Sequence, residues 1–226
     1  MGTLRIISRS HESFEDRRQA GHALAEALAD YRGRGVAVVG IPRGGMIVAR
    51  VLAEALEADL DLVLARKLGA PGNPELAIGS ISEDGRVFLR DEIAALTGAA
   101  DEYIRLEQAR ATQEIARRAA LYRKLLPRVS LAGRTAILTD DGVATGSTME
   151  AAVWAVRREN AARVIVALPV GPEDTLRRLA ESADEVICLR CPPYFEAVGQ
   201  FYQWFEQVDD REMLEMLELY VRGKGR

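Results

Sequence analysis

Residues 36–41, 60–65, 135–139 and 164–168 are four short, almost uninterrupted apolar runs, and residues 185–189 add a fifth. Each is too short for a stable helix and lacks polar alternation, the pattern of a parallel strand buried on both faces. Between them, residues 45–57, 147–160 and 173–182 place apolar side chains at helical spacing. Strands alternating with helices in this way predict an open α/β fold, a parallel sheet flanked by helices. Ahead of the first run lies a short apolar stretch, residues 4–7. Ser13 and Asp16 then have the spacing of a capping box for a helix carrying Phe14, Gly21, Leu24, Leu28 and Tyr31 on one face, with Gly33 and Gly35 ending it. At the far end, Met213, Leu214, Leu217 and Val221 predict a terminal amphipathic helix over 209–221.

Residues 69–128 break the rhythm. Pro71, Gly72, Asn73, Pro74, Gly79 and Gly85 come first, and a long helical pattern over 101–126 follows. Ile104, Gln108, Ala111, Ile115, Ala119, Tyr122 and Leu126 form its packing face, leaving Arg105, Glu107, Glu114, Arg117 and Arg118 solvated. The expectation is one domain over 1–226. Its core spans about 14–68 and 129–190, with an insertion over 69–128 and a small C-terminal segment over 191–226. A chain of 226 residues with 48% hydrophobic content supports one substantial core.

A net charge of −4 speaks against a duplex nucleic-acid surface, while leaving room for a local basic pocket. No run approaches the ~20 apolar residues of a membrane span, and Met1 to Ser10 lack the apolar core of a signal peptide. These features predict a cytoplasmic protein without membrane or nucleic-acid partners. Cys188 and Cys191 form a lone C-x-x-C. The two histidines, His11 and His22, lie far from it in sequence, and Cys188 fits the apolar run around it, so packing is the expected role.

The most specific stretch is Thr139-Asp140-Asp141-Gly142-Val143-Ala144-Thr145-Gly146-Ser147-Thr148, where a strand ends, two carboxylates follow, and a small-residue loop enters a helix. Thr145, Gly146, Ser147 and Thr148 would present N–H groups and hydroxyls at the helix start, where the dipole favours a phosphate. Asp140 and Asp141 suit hydroxyls or a hard cation. A second strand-to-helix turn, Gly40-Ile41-Pro42-Arg43-Gly44-Gly45, lets the backbone approach a ligand closely, and Arg43 adds a permanent charge that can take two phosphate oxygens. In an open parallel sheet, ligands bind beyond the carboxyl ends of the strands, where both turns fall. Neither G-x-G-x-x-G, G-x-x-x-x-G-K-[ST] nor G-x-S-x-G occurs, which disfavours dinucleotide oxidoreductases and serine hydrolases.

The acidic loop closely resembles the phosphoribosyl pyrophosphate (PRPP) loop of type I phosphoribosyltransferases. The Pro42-Arg43-Gly44-Gly45 turn resembles that family's pyrophosphate loop in one branch. The resemblance runs from Phe14-Glu15-Asp16-Arg17-Arg18, through these turns and residues 66–76, to Phe195-Glu196-Ala197-Val198-Gly199. It covers nearly the whole chain.

The resemblance implies that Asp140 and Asp141 hold the ribose hydroxyls, directly or through water bound to Mg2+, while Ala144 to Thr148 hold the 5-phosphate, with Gly142 and Val143 completing the PRPP-binding loop. It implies that Arg43, Gly44 and Lys67 collect charge on the departing pyrophosphate. Arg66 and Lys67 are expected to end the second core strand and lead into a mobile catalytic loop over 69–85, where Glu75 would meet substrate on closure.

Residues 191–226 correspond to the hood over the acceptor. Six of the chain's thirteen aromatics fall between Pro192 and Phe205, and Phe195, Val198 and Tyr202 are the candidate acceptor contacts. Packing of the hood on the core is the competing role for these rings. Ala144 stands where 6-oxopurine enzymes of the family carry a base-contacting Asp, which weakens a hypoxanthine or guanine assignment and leaves the acceptor open. The expected activity is Mg2+-dependent transfer of a phosphoribosyl group from PRPP to a nitrogen of a nucleobase-like acceptor, with pyrophosphate released. The alternative is a PRPP-binding regulator without turnover. Homodimers are common in the family.

Overall fold

The computed structural model describes residues 2–224, the side chains of Glu75 and Lys224 excepted. In chain order the elements are β1 (Thr3–Ser8), α1 (Arg17–Ala27), β2 (Ala37–Gly40), α2 (Gly44–Leu56), β3 (Asp59–Leu62), β4 (Ala65–Ala70), β5 (Asn73–Ser82) and β6 (Val87–Leu89). There follow α3 (Asp91–Leu96), α4 (Asp101–Tyr122), β7 (Thr135–Thr139), α5 (Ser147–Arg158), β8 (Arg163–Val170), α6 (Glu173–Ser182), β9 (Glu185–Arg190) and α7 (Asp210–Lys224).

Six strands form one parallel sheet in the order β1-β9-β8-β7-β2-β3. Alternate side chains of β2, β7, β8 and β9 enter two separate cores, and Leu60 and Leu62 of β3 join the first of them. Val38, Leu60, Ile137, Ile165 and Ile187 face α1 and α2, meeting Leu24, Leu28, Leu52 and Leu56. Val39, Leu138, Val166, Val186 and Cys188 face α5 and α6, meeting Met149, Val153, Leu176 and Leu179. This two-sided burial is the reason that the strands read as continuous apolar runs rather than as alternating ones. All five expected strands form. The stretch over 4–7 becomes a sixth, β1, pairing in parallel with β9 at the sheet edge.

Three expectations change. The second core strand ends at Leu62, not Ala65, so Arg66 and Lys67 do not finish it; they lie in β4, part of a separate antiparallel sheet in the order β4-β5-β6. The stretch over 69–85, expected as a mobile loop, is thus largely strand. Ala70, Ile78 and Ile81 are buried there, and the Tyr103 hydroxyl of α4 donates to Gly69 O at 3.0 Å, so tertiary packing outweighs the loop-like Gly/Pro content. The Glu75 side chain lies outside the described residues.

The first helix begins at Arg17, with Asp16 as its cap accepting from Arg18 N and Gln19 N, both at 2.8 Å. Phe14 and Ser13 therefore precede the helix. Phe14 N donates to Phe201 O and Gln203 N donates to Phe14 O, each at 2.8 Å, tying the chain's start to the C-terminal segment. On α7, Met213, Leu217 and Tyr220 form the buried face, with Val221 exposed.

The inserted unit is clamped to the main sheet by one arginine. Arg123, just past α4, pairs with Asp61 of β3 and with Glu83 (2.9 Å), and also donates to Leu62 O (2.8 Å). Val129 N donates to the other Asp61 oxygen at 3.0 Å, and Asp61 is only 4% exposed. Removing one partner of a buried pair strands the other charge. Arg123→Ala is therefore expected to lower the unfolding free energy by about 3–5 kcal/mol in urea titrations. A variant within about 1 kcal/mol of the parent would show that the clamp is dispensable.

Candidate functional site

β2 and β7 are neighbours, but the connections that leave them go opposite ways, to β3 on one side and to β8 on the other. Their carboxyl ends therefore border the crevice where the strand order reverses, the usual ligand position in open α/β sheets. Gly40 lies opposite Thr139, and Ile41 N donates to Thr139 O at 3.0 Å. The two turns singled out in the sequence leave the sheet side by side at this point.

Their contact is unusually close. A Cβ on Gly44 would lie 2.1 Å from Asp141 Oδ2, and one on Gly45 would lie 2.6 Å from Asp140 Oδ1. Only glycine fits either position without moving a carboxylate. The Pro42–Arg43 peptide in this turn is cis. Asp141 N donates to Asp140 Oδ1 at 2.8 Å, fixing the pair relative to each other. Enclosure by protein, and after it the negative charge of Asp141, raises the Asp140 carboxyl well above the ordinary carboxylate range.

Arg17 holds the second carboxylate. Its Nε donates to Asp141 Oδ2 at 2.7 Å, its Nη1 donates to Glu206 O at 2.9 Å, and its guanidinium lies 4.0 Å from the Phe205 ring centre. The sequence reading gave Arg17 no role. The signal was its place on the stripe Arg17-Gly21-Leu24: an arginine on a face that buries needs a partner.

The loop from Gly142 onward is pinned from below. Val143 N donates to Val170 O at 3.0 Å, and the Thr175 hydroxyl donates to Ala144 O at 2.8 Å. Arg178 donates to Thr145 O. Gly146, at φ 74°, caps α5 with no side-chain hydrogen bond to the first turn. The N–H groups there thus remain available to an anion. The Thr145 and Ser147 hydroxyls are 3.1 Å apart, and Lys67 Nζ donates to Ser147 Oγ at 3.3 Å. Thr148 faces a cavity beside them.

Arg43 and Lys67 serve different sides. The Arg43 guanidinium is 3.4 Å from Asp210, whose carboxylate also takes the Tyr122 hydroxyl (2.5 Å) and Arg117 (3.1 Å). It lines a cavity of about 500 Å³ between α1, α2 and α7, with Arg17, Arg50, Trp204 and Met216 among the walls. Lys67 lines a second cavity of about 250 Å³, between Pro42, Thr148 and α4.

The three candidate acceptor contacts are mainly packing groups in this conformation. Tyr202 is buried, stacks on Phe205 with ring centres 5.0 Å apart, and donates its hydroxyl to Asp141 O at 2.6 Å. Burial holds that phenol well above its ordinary range. Phe195 stacks on Phe201 at 5.4 Å, and Val198 sits against Gly142. Cys188 is packed within β9, its thiol directed to Arg190 O at 3.2 Å.

A fold of this order, with an acidic pair and a small-residue loop at the switch point, defines a class. The chain belongs to the phosphoribosyl transferase domain family, whose model, described as "Phosphoribosyl transferase domain", matches residues 11–203. Two Mycobacterium tuberculosis proteins are each 44% identical over 208 residues: "Putative phosphoribosyl transferase Rv0571c" of strain ATCC 25618 / H37Rv and "Putative phosphoribosyl transferase MT0597" of strain CDC 1551 / Oshkosh. The matches cover 91% of this chain and 46% of theirs, so the chain spans about half the length of the curated relatives it matches. The crystal structure of TT1426 from Thermus thermophilus is similar with a TM-score of 0.85 and 43% identity, covering 92% of this chain and 99% of that one.

The Asp140 environment has a stability consequence. A carboxyl whose folded pKa lies above its unfolded value favours the folded state when protonated, so stability falls as pH rises from the unfolded value through the folded one. Above that window the cost is fully present. Asp140→Asn keeps the Oδ1 acceptor for Asp141 N while removing the charge. It is expected to stabilise the ligand-free protein near pH 8, with the gain shrinking towards pH 4. Unfolding curves at both pH values check this, and a destabilised variant near pH 8 would contradict it.

Proposed function

We propose that this domain transfers the 5-phosphoribosyl group of PRPP to a nitrogen of a nucleobase-like heterocycle and releases pyrophosphate. The observation that carries the reading is the direct contact, at the switch point, of the Gly44-Gly45 backbone with the Asp140-Asp141 pair, shortly before a helix N-terminus whose cap, Gly146, makes no side-chain hydrogen bond. In this reading, Gly142 to Thr148 bind the 5-phosphate through loop and helix N–H groups and through the Thr145, Ser147 and Thr148 hydroxyls. Asp140 and Asp141 take the ribose 2- and 3-hydroxyls, with Arg17 and Tyr202 holding Asp141 in place. Gly44 and Lys67 bind the pyrophosphate, and Arg43 joins them by exchanging Asp210 for a phosphate.

The reaction breaks the C1–O bond, and pyrophosphate leaves with the electron pair. The acceptor nitrogen then bonds to C1 and gives up its proton to solvent or to a protein base. Positive charge develops on the sugar as the bond breaks, beside the Asp140-Asp141 pair, while Lys67 faces the charge that accumulates on the leaving group.

Asp140 and Asp141, two adjacent carboxylates, would hold an Mg2+ directly or through water. When bound, the metal would neutralise the polyphosphate and orient it. No group of three or more acidic, His or Cys side chains able to hold a metal alone occurs among the described residues. Ala144 leaves the acceptor edge without a carboxylate at the loop, in keeping with an acceptor other than a 6-oxopurine.

The test is pyrophosphate release from PRPP and Mg2+ across a panel of purine, pyrimidine and pyridine bases. Release with at least one acceptor is expected. Asp140→Asn with Asp141→Asn should lower its rate at least ~100-fold while leaving the far-ultraviolet spectrum unchanged. Tight PRPP binding with no release on any acceptor would instead favour a PRPP-binding regulator.

A further inference from the structure

The cavity of about 250 Å³ beside the pyrophosphate turn has walls that the sequence reading left out. Pro42 of that turn, Lys67 of β4 and Thr148 of α5 border it, and so do Arg66, Glu114 and Arg118. Glu114 and Arg118 belong to α4, the helix of the inserted segment, where both were expected to be solvated. Three cations and one carboxylate line the same small space, leaving a net positive charge against two loops already suited to phosphates. Arg118 Nε lies 2.9 Å from Glu114 Oε1, but off the N–H direction. That buried Nε–H has no hydrogen-bond acceptor among the described residues. An unpaired donor of this kind, on a permanently charged side chain, is costly unless an acceptor arrives.

We infer that Arg118, reaching across from the inserted helix, is a binding residue for the pyrophosphate group of PRPP, and that Glu114 holds it in reserve until the anion enters. The inference rests on the proposed PRPP reading. The guanidinium would exchange one off-line contact with Glu114 for charge-assisted bonds to phosphate oxygens. Glu114 has a second partner in Arg117, at 3.5 Å, so releasing Arg118 does not strand it. The inserted helix would thereby complete the leaving-group side of the site, a function separate from its packing against β4 and β5.

Calorimetric titrations with pyrophosphate, PRPP and ribose 5-phosphate test this. Arg118→Gln should weaken pyrophosphate and PRPP about tenfold and leave ribose 5-phosphate unchanged. Glu114→Gln should tighten pyrophosphate about threefold, because it removes the competing acceptor, and that gain should vanish in the double variant. A merely structural Arg118 would not give this pattern. Unchanged pyrophosphate affinity in Arg118→Gln, or equal losses for all three ligands, would overturn the role of Arg118 while leaving the PRPP reading intact. A parent protein that binds none of the three would overturn that reading, and this inference with it.

Discussion

Everything at the switch point depends on two glycines having no side chains. Gly44 and Gly45 bring the start of α2 against Asp140 and Asp141 so closely that a single Cβ would collide with a carboxylate oxygen. Two acidic groups crowded there are electrostatically unfavourable, and the surrounding residues answer that cost. Arg17 is drawn onto the buried face of α1 to pair with Asp141, and the C-terminal segment is drawn in turn, because Glu206 O and the Phe205 ring complete the arginine's surroundings. Tyr202 closes the ring by holding the Asp141 carbonyl. A protein selected only for stability would not keep this arrangement, and strain of this kind is common where a ligand is to be met.

The core of the fold was legible because parallel strands buried on both faces leave an unmistakable trace. The runs over 36–41, 135–139 and 164–168 became β2, β7 and β8 within a few residues at each end. The two ligand turns were legible for a related reason, since glycines and acids at a strand-to-helix junction have few packing explanations. What stayed hidden depends on contacts distant in sequence. Nothing local shows that Phe14 pairs with residues 201–203, or that Arg123 reaches Asp61. Those partners are chosen by the assembled tertiary structure.

Within the inserted segment the long helix forms where its spacing predicts it, whereas the Gly/Pro-rich stretch before it differs from expectation. Its glycines and prolines read as a mobile loop, yet they lie in and beside a three-stranded sheet pressed on α4 and α5. Of the charged positions on the long helix, Arg117 is exposed as expected, whereas Glu114 and Arg118 are half-buried beside the site; Arg117 shares Asp210 with Arg43. Charge at helical spacing says which face is polar and leaves open what that face meets. The hood shows the converse. Its aromatics allow either acceptor contacts or packing, and Tyr202 and Phe205 pack around Phe14 and Arg17 in this conformation.

The most direct measurement is a calorimetric titration of the protein with PRPP, with and without Mg2+, using ribose 5-phosphate as the comparison. The account predicts binding that depends on Mg2+ and is tighter for PRPP than for ribose 5-phosphate, since the proposed pyrophosphate contacts at Gly44 and Lys67 are open to PRPP alone. Absence of PRPP binding, or equal Mg2+-independent affinity for the two ligands, would contradict it.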